Sequence, residues 1–99
     1  MILEQALFAI KPGTEEQFEA AMEQAKEVIS QAKGFRSLTL RRGIEDPSTF
    51  LLLNEWDEFD DHMVGFRESE RFLRWRELIG PYFASPPQVV HFQAPSVAR

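Results

Sequence analysis

The stretch NEWDEFDDHM, residues 54 to 63, sets one tryptophan and one histidine among five acidic residues. A histidine can exchange a proton near neutral pH, and a tryptophan offers a flat wall to an aromatic ligand. The acids have a simpler explanation, because Asp57 suits a helix N-cap and the acids after it suit a first helical turn. Two interpretations therefore stay open: a solvated acidic helix end, or the rim of a pocket for which the acids are scaffolding.

His62 carries the main chemical hypothesis. With Phe59, Met63 and Phe66 it follows the helical spacing 0, +3, +4, +7, so it lies on an apolar helix face. Such a histidine is either a core residue or, beside a cavity between sheet and helices, a base for a phenol-type substrate. We expect aromatic side chains to wall that cavity: Trp56, Phe59, Phe66, Phe72 and Trp75.

Three further polar side chains could contribute to the same cavity. Asn54 shares the strand face of Trp56, where its amide could bind a substrate oxygen or reach solvent. Arg76 lies on the inner side of the last helix and could pair with a substrate anion or with one of the acids. His91 alternates with its neighbours in the last strand, so it faces either the pocket or a subunit seam.

The composition and the motifs that the sequence lacks argue against several classes of function. The chain has no cysteine and two histidines far apart, so we predict no metal site. It also has no glycine-rich phosphate loop and no Ser-His-Asp order, which disfavours phosphoryl and acyl transfer. A net charge of -5 argues against a nucleic-acid partner. Arg67, Arg71 and Arg74, with Glu70 and Glu77, form a helical stripe that we expect to be solvated and salt-bridged.

The length of 99 residues predicts one domain over residues 1-99. The longest apolar runs, ALFAI and FLLL, are too short to span a membrane. The N-terminus lacks a basic region and a cleavage site, so a cytoplasmic location is expected. The tail, residues 94-99, has little to hold it unless a partner does.

Hydrophobic periodicity predicts the element order β-α-β-β-α-β. The first strand covers the first ten residues, and a helix follows from a Thr14/Gln17 capping box to about Gly34. The second helix is expected in two pieces, with N-caps at Asp57 and Ser69. The other strands are expected over residues 35-43, 49-56 and 88-93. This order is the α+β, ferredoxin-like arrangement, with a four-stranded antiparallel sheet and both helices on one face.

The first and third strands are apolar on both of their faces. Two helices can cover only one face of a four-stranded sheet, so the other face is left open. We therefore expect a homodimer in which two open sheet faces pack together.

The chain resembles the antibiotic biosynthesis monooxygenase family of dimeric α+β barrels. The matching segments are KPGTEEQFEAA, the GF at 34 to 35, EDPSTFLLLNEWDEFDDH, FRESERFLRW and PPQVVHF. The likeness runs from about residue 3 to residue 93, and it is the order and spacing of these segments that are specific. It implies the dimeric barrel fold.

The resemblance also implies an activity, because characterised members are cofactor-independent monooxygenases of polycyclic phenols or quinols. In polyketide-oxidising members a strand tryptophan, a helix residue six later and an arginine of the last helix line the cavity. Trp56, His62 and Arg76 occupy those places here, with histidine in place of the tyrosine. The asparagine that those members carry four residues before the tryptophan is Leu52 in this chain.

A related branch degrades haem, using a first-strand asparagine and a last-helix histidine. This chain has Ala6 and Arg76 at those places, which disfavours haem degradation. Three hypotheses result. The first is a cofactor-independent oxidation of an aromatic phenol or quinol. The second is a non-catalytic or stress-related small-molecule-binding protein, and the third is haem binding through His62 or His91.

Overall fold

A computed structural model describes all 99 residues. The strands are β1 (Ile2–Ala9), β2 (Phe35–Arg42), β3 (Thr49–Trp56) and β4 (Gln88–Phe92). The helices are α1 (Glu15–Ile29) and α2 (Glu70–Ile79), with a π-helix (Asp61–Phe66) before α2 and a 3-10 turn (Gly80–Tyr82) after it. The predicted element order is confirmed.

The four strands form one antiparallel sheet in the order β2-β3-β1-β4. This is the ferredoxin-like α+β topology, as predicted. The strand pairing aligns Glu4 of β1 with Asn54 of β3 on one side and with His91 of β4 on the other. Residues directly opposite each other in an antiparallel pair share a face, so these three side chains lie in one row on the helix-covered side of the sheet.

The core lies between this side of the sheet and the helices. β3 alternates as its sequence predicts, with every second residue at most 1% exposed: Phe50, Leu52, Asn54 and Trp56. The stripe that α1 buries is also the predicted one: Phe18, Met22, Ala25 and Ile29. Phe18 joins helix to sheet, since its ring makes edge-on contacts with Phe8 and Phe50 at centroid distances of 5.5 and 5.0 Å.

The helix ends differ from the predicted caps. The Thr14 hydroxyl donates to the Lys11 carbonyl (2.7 Å) and does not cap α1, so the predicted capping box is wrong. Ser69 does precede α2, but its hydroxyl donates to the Phe66 carbonyl (2.6 Å). In both cases the hydroxyl satisfies a carbonyl of the preceding turn, an alternative always open to serine and threonine.

The acidic segment ends one strand and begins the next helical turn. Asp57 is not an N-cap, because its carboxylate accepts from Arg36, between the end of β3 and the start of the neighbouring strand β2. Asp57, Glu58 and Asp60 are exposed, and half-buried Asp61 accepts from the Glu58 backbone N–H (3.2 Å). Asp57, Glu58 and Asp60 therefore form a solvated acidic helix start, as the simpler interpretation held, although Asp57 does not act as its N-cap.

The second sheet face is not covered by any helix. Its apolar side chains come from three strands: Leu3, Leu7, Leu51, Leu53, Val90 and Phe92. Leu7, Val90 and Phe92 are 40%, 47% and 49% exposed. None of the helices is long and apolar enough to cross a membrane.

Gly34 generates a prediction about stability. Its φ is +81°, and an added Cβ would lie 2.0 Å from a carboxylate oxygen of Asp61. Gly34→Ala should lower the free energy of unfolding by about 1–3 kcal/mol, because the alanine would be both left-handed and overcrowded. Gly65→Ala is the control, since φ there is not positive and the nearest atom to an added Cβ, the Asp60 carbonyl oxygen, lies at an ordinary 3.8 Å.

Urea unfolding of the two variants measures the difference. The control should stay within about 0.5 kcal/mol of the parent protein. Equal stability of the two variants would contradict the tight approach of Asp61 to Gly34.

Candidate active site

A cavity of about 260 Å³ lies between the sheet, the π-helix and α2. Ten of its fifteen lining residues are hydrophobic, so most of its wall suits an apolar ring. The charged and titratable side chains that line it are Glu4, His62, Arg67 and Arg76. An apolar pocket with a few polar groups is the usual form of a small-molecule site.

Five of the nine side chains that the sequence nominates line this cavity: His62, Phe66, Phe72, Trp75 and Arg76. The other four do not: Asn54, Trp56, Phe59 and His91. Phe59 is 45% exposed and meets the edge of His91, with ring centroids 4.8 Å apart. It therefore lies outside the cavity.

Trp56 lies behind His62. Its side chain is fully buried, and its ring stacks on the imidazole at a centroid distance of 5.1 Å and an angle of 26°. The indole N–H donates to Glu4 Oε1 (2.9 Å). Trp56 therefore supports the polar end of the cavity and does not form its wall.

Asn54 is also completely buried and does not reach solvent. Its side-chain Nδ2 donates to the same oxygen, Glu4 Oε1 (3.0 Å), while its Oδ1 has no hydrogen-bond partner within the chain. The shared acceptor explains why a polar amide is tolerated in the core, since a buried carboxylate needs donors.

Glu4 is the central residue that sequence reasoning missed. It is 5% exposed and lines the cavity. The signal was present in the first strand, where Ile2, Ala6, Phe8 and Ile10 form an inward-facing apolar set that Glu4 interrupts. An acid at an inward strand position is unusual unless it is paired, so the interruption itself pointed to a polar site.

His62 connects Glu4 to His91. Its Nε2 lies 3.4 Å from Glu4 Oε1, and its Nδ1 lies 2.7 Å from Nε2 of His91. The side chain is 4% exposed, whereas His91 on the edge strand is only half-buried. The three residues form a row from the core to the sheet edge. His62 uses opposite ring nitrogens for its two contacts, so the row does not converge on one point as metal ligands do.

Burial controls the protonation of this row. It lowers the pKa of His62 to about 3, with the His91 and Arg67 charges adding to the effect. Burial also lowers the pKa of His91, again with help from Arg67. The pKa of Glu4 is raised by burial, which outweighs the hydrogen bonds from Asn54 and Trp56. His62 is therefore neutral at pH 7, and its contact with Glu4 involves an uncharged imidazole.

The cavity wall also includes two arginines, both of them exposed. Arg67 and Arg76 both line the cavity, and both lie over the Phe72 ring, at 5.5 and 5.9 Å from its centroid. Arg76 makes no ion pair with the acids of residues 57-61, which was one of the two alternatives for it. The cavity therefore has more positive than negative side chains, which favours an anionic ligand oxygen.

The position of Arg67 corrects the predicted outer stripe. The expectation holds for Arg74, which is exposed and pairs with Glu77 at 3.7 Å. It holds only in part for Arg67, which is exposed but makes no ion pair and lines the cavity. Residues 61–66 form a π-helix, in which the Arg67 N–H bonds to the His62 carbonyl five residues earlier. A π-helix takes more residues per turn than the 3.6 of an α-helix, so Arg67 lies near the side of the helix that carries His62.

In a comparison with protein families, residues 1–78 match the model described as antibiotic biosynthesis monooxygenase. The chain is 39% identical over 93 residues to the uncharacterised protein YczJ of Bacillus subtilis, covering 94% of this chain and 98% of that protein.

Solved structures agree with this match. A Bordetella bronchiseptica protein assigned to the same family is 42% identical, with a TM-score of 0.92 over 95% of this chain and 96% of that one. Two Streptomyces proteins share the fold at lower identity. One is a monooxygenase from the gene ActVA-Orf6 of Streptomyces coelicolor in complex with nanaomycin D (22%, TM-score 0.82, 99% and 90% covered). The other is SnoaB of Streptomyces nogalater, a cofactor-independent oxygenase (16%, TM-score 0.82, 97% and 94% covered).

The depressed pKa of His62 predicts how its contribution to stability depends on pH. Its pKa is about 3 when folded and 6.5 in the unfolded chain, so the unfolded state takes up a proton first as the pH falls. The stabilisation that neutral His62 provides is complete above pH 6.5 and is lost progressively towards pH 3. Between pH 7 and pH 5 the loss should reach about 2 kcal/mol.

The measurement is the difference in free energy of unfolding between the parent protein and His62→Gln, which cannot protonate. This difference should move by that amount in favour of His62→Gln on acidification. Taking a difference removes much of the opposite effect of Glu4, whose raised pKa adds stability as the pH falls. Asp60→Asn, which neutralises an exposed acid, is the control, and parallel curves for His62→Gln and the parent would contradict the assignment.

Proposed function

Because the chain belongs to the antibiotic biosynthesis monooxygenase family, we propose that it is a cofactor-independent monooxygenase that oxidises a small aromatic phenol or quinol with O2. The observation that carries this proposal is the cavity, with an apolar wall and a polar end formed by Glu4, His62, Arg67 and Arg76. The wall suits the ring, and the polar end suits the oxygen of a phenol that is losing its proton. The monooxygenase from Streptomyces coelicolor, with its bound ligand, supports a small-molecule role for this fold.

The reaction needs no external reductant. In the conversion of a phenol to a quinone, one oxygen atom of O2 becomes the new carbonyl on the ring. The other leaves as water, with the phenolic hydrogen and the hydrogen of the oxidised ring carbon. Oxygen gains four electrons, and all four come from the substrate.

The proposed contribution of the protein is to hold the substrate and to favour its anion. Phe66, Phe72 and Trp75 pack against the ring, which excludes water from the reacting carbon. Arg67 and Arg76 stabilise the negative charge that develops on the phenolic oxygen. Trp56 and Asn54 do not line the cavity but hold Glu4 in place through hydrogen bonds. His91 acts through its contact with His62.

Haem does not fit these residues. Both nitrogens of His62 already face partners, and His91 does not line the cavity. The cavity volume of about 260 Å³ is also below the roughly 300–1,000 Å³ of sites for drug-sized ligands. The same volume favours a substrate of few rings.

We also propose that the protein is a homodimer joined through the open sheet faces. The uncovered apolar side chains on that face support it, since β1 at its centre carries Leu3 and Leu7 outward. An interface of roughly 1,500 Å² or more would give a stable dimer. We propose that the tail, residues 94-99, which is exposed in the single chain, contacts the partner.

Light scattering at micromolar concentration should therefore give a mass near twice 11.5 kDa. Leu7→Glu should give a monomer, because it adds a charge to the centre of the proposed interface. Leu73→Glu is the control, since Leu73 is equally hydrophobic and 60% exposed but lies on α2. A monomeric parent protein, or a monomer caused only by the control variant, would reject this interface.

Oxygen uptake with naphthoquinols and anthrone-type phenols tests the activity. The parent protein should consume O2 in the absence of added metal or flavin, and Arg76→Met should lower kcat/KM by about 100-fold through loss of anion stabilisation. Arg74→Met on the same helix should be unaffected, because Arg74 pairs with Glu77 at the surface.

Two parallel measurements separate the alternatives. Quenching of tryptophan fluorescence by the phenols without any O2 uptake would indicate a binding protein that does not turn over. A shift of the Soret band on haem titration would instead support haem binding.

A further inference from the structure

We propose that Glu4 is the group that accepts the substrate proton, and that His62 and His91 are positioning residues for its carboxylate. This assignment rests on the proposed function. It moves the base from the helix, where the sequence suggested it, to the first strand.

The geometry of the carboxylate supports the assignment. The two hydrogen bonds to Glu4, from Asn54 Nδ2 and from Trp56 Nε1, both fall on Oε1, and His62 faces that same oxygen. None of the hydrogen bonds or ion pairs of the chain falls on Oε2, and this oxygen is not one of the fully enclosed polar atoms that lack a partner. Because Glu4 lines the cavity, Oε2 is the oxygen available to a ligand.

His62 is poorly placed to take the proton itself. Its Nε2 faces Glu4 and its Nδ1 lies 2.7 Å from His91, so neither ring nitrogen is left for a ligand. With Glu4 ionised, the consistent arrangement has His91 Nε2–H donating to His62 Nδ1, and His62 Nε2–H directed at Glu4 Oε1. His91 thereby sets the tautomer of His62, and His62 sets the orientation of the carboxylate.

The pKa shifts of Glu4 and His62 agree with this assignment. Burial raises the pKa of Glu4, which brings a carboxylate closer to the working pH of a general base. Burial makes the imidazole of His62 a weak base, with a pKa of about 3. The charged and titratable groups around Glu4 are His62, His91, Arg67 and Arg76, and the charge of Arg67 opposes part of the rise in the pKa of Glu4 that burial causes.

The step is a simple proton transfer. The O–H bond of the phenol breaks and an O–H bond forms at Glu4 Oε2, while the electron pair stays on the substrate oxygen. The negative charge thus moves from Glu4 to the phenolate, which Arg67 and Arg76 face. The proton held on Glu4 later becomes one of the two hydrogens of the water formed from O2.

The test compares Glu4→Gln with the parent protein in the oxygen-uptake assay. Glutamine keeps the shape and an acceptor for Asn54 and Trp56 but cannot accept a proton, so kcat/KM should fall by about 100-fold or more. In the parent protein kcat/KM should be lost as the pH falls through the raised pKa of Glu4, and this acid limb should be absent in Glu4→Gln. Glu58→Gln, at an exposed acid, is the matched control.

His62→Gln separates the two candidate bases without requiring Glu4→Gln to fold. A positioning role predicts a smaller loss than in Glu4→Gln and a displaced acid limb. Loss of the acid limb in His62→Gln, or full activity in Glu4→Gln, would assign the proton to another group and overturn the proposal.

An infrared difference spectrum keeps this inference separate from the proposed activity. Under anaerobic conditions at pH 7, binding of 2-naphthol should produce a carboxylic-acid C=O band that is absent in Glu4→Gln. If this band appears but no phenol supports O2 uptake, Glu4 is the proton acceptor and the monooxygenase proposal fails. Binding without the band overturns the role of Glu4, and absence of any phenol binding overturns both proposals.

Discussion

The buried carboxylate of Glu4 is the constraint on which the arrangement of the site depends. An ionised carboxylate loses several kcal/mol of solvation when it is buried, unless donors replace the water. Here the donors come from β3, where Asn54 and Trp56 lie two residues apart on the same sheet face as Glu4. One strand supplies the acid and its neighbour supplies the hydrogen bonds, so the polar centre forms only when β1 and β3 pair in this register. A one-residue slip would turn Glu4 to the other face of the sheet and separate it from both donors.

The burial of the Glu4 carboxylate also accounts for the positions of Trp56, His62 and Arg67 around it. The Trp56 indole donates to Glu4 with one edge and stacks on His62 with its face, so it fixes the imidazole next to the acid. The π-helix brings Arg67 to the side of the helix that carries His62. The guanidinium of Arg67 is therefore a cation close to the buried carboxylate of Glu4. The cation offsets part of the burial penalty, and it also opposes protonation of both histidines. For this reason the positive charge of Arg67 offsets the negative charge of the carboxylate, while both imidazoles stay neutral.

Sequence periodicity predicted the elements well because each depends on local alternation. β3 shows this clearly, since both its bounds and its buried face follow from the residues of TFLLLNEW alone. The candidate site was predicted only in part. His62 and Arg76 were found because they lie on helix faces whose spacing can be counted. Glu4 was missed because its partners are 50 and 52 residues away, and only strand pairing brings them together.

The π-helix was out of reach for a related reason. Its sequence, DHMVGF, is compatible with an α-helix, and nothing in its local spacing indicates the wider turn. Arg67 was therefore assigned by α-helical spacing to the solvated stripe. The predictions of helix caps were wrong for a different reason. A threonine or serine at a helix start can donate to a carbonyl of the preceding turn as readily as it can accept from an N–H of the helix.

The edge strand β4 links the site to the open face. His91 points to the cavity side and contacts His62, while its neighbours Val90 and Phe92 point to the uncovered side and are about half exposed. β4 pairs with β1 alone, so on its other edge nothing within the subunit restrains it. A partner packed on Val90 and Phe92 would hold the strand, and with it the nitrogen of His91 that lies 2.7 Å from His62. In the proposed dimer, the hydrophobic contact on one face of β4 thus stabilises the hydrogen-bonded row on the other, and the geometry of Glu4 depends on both.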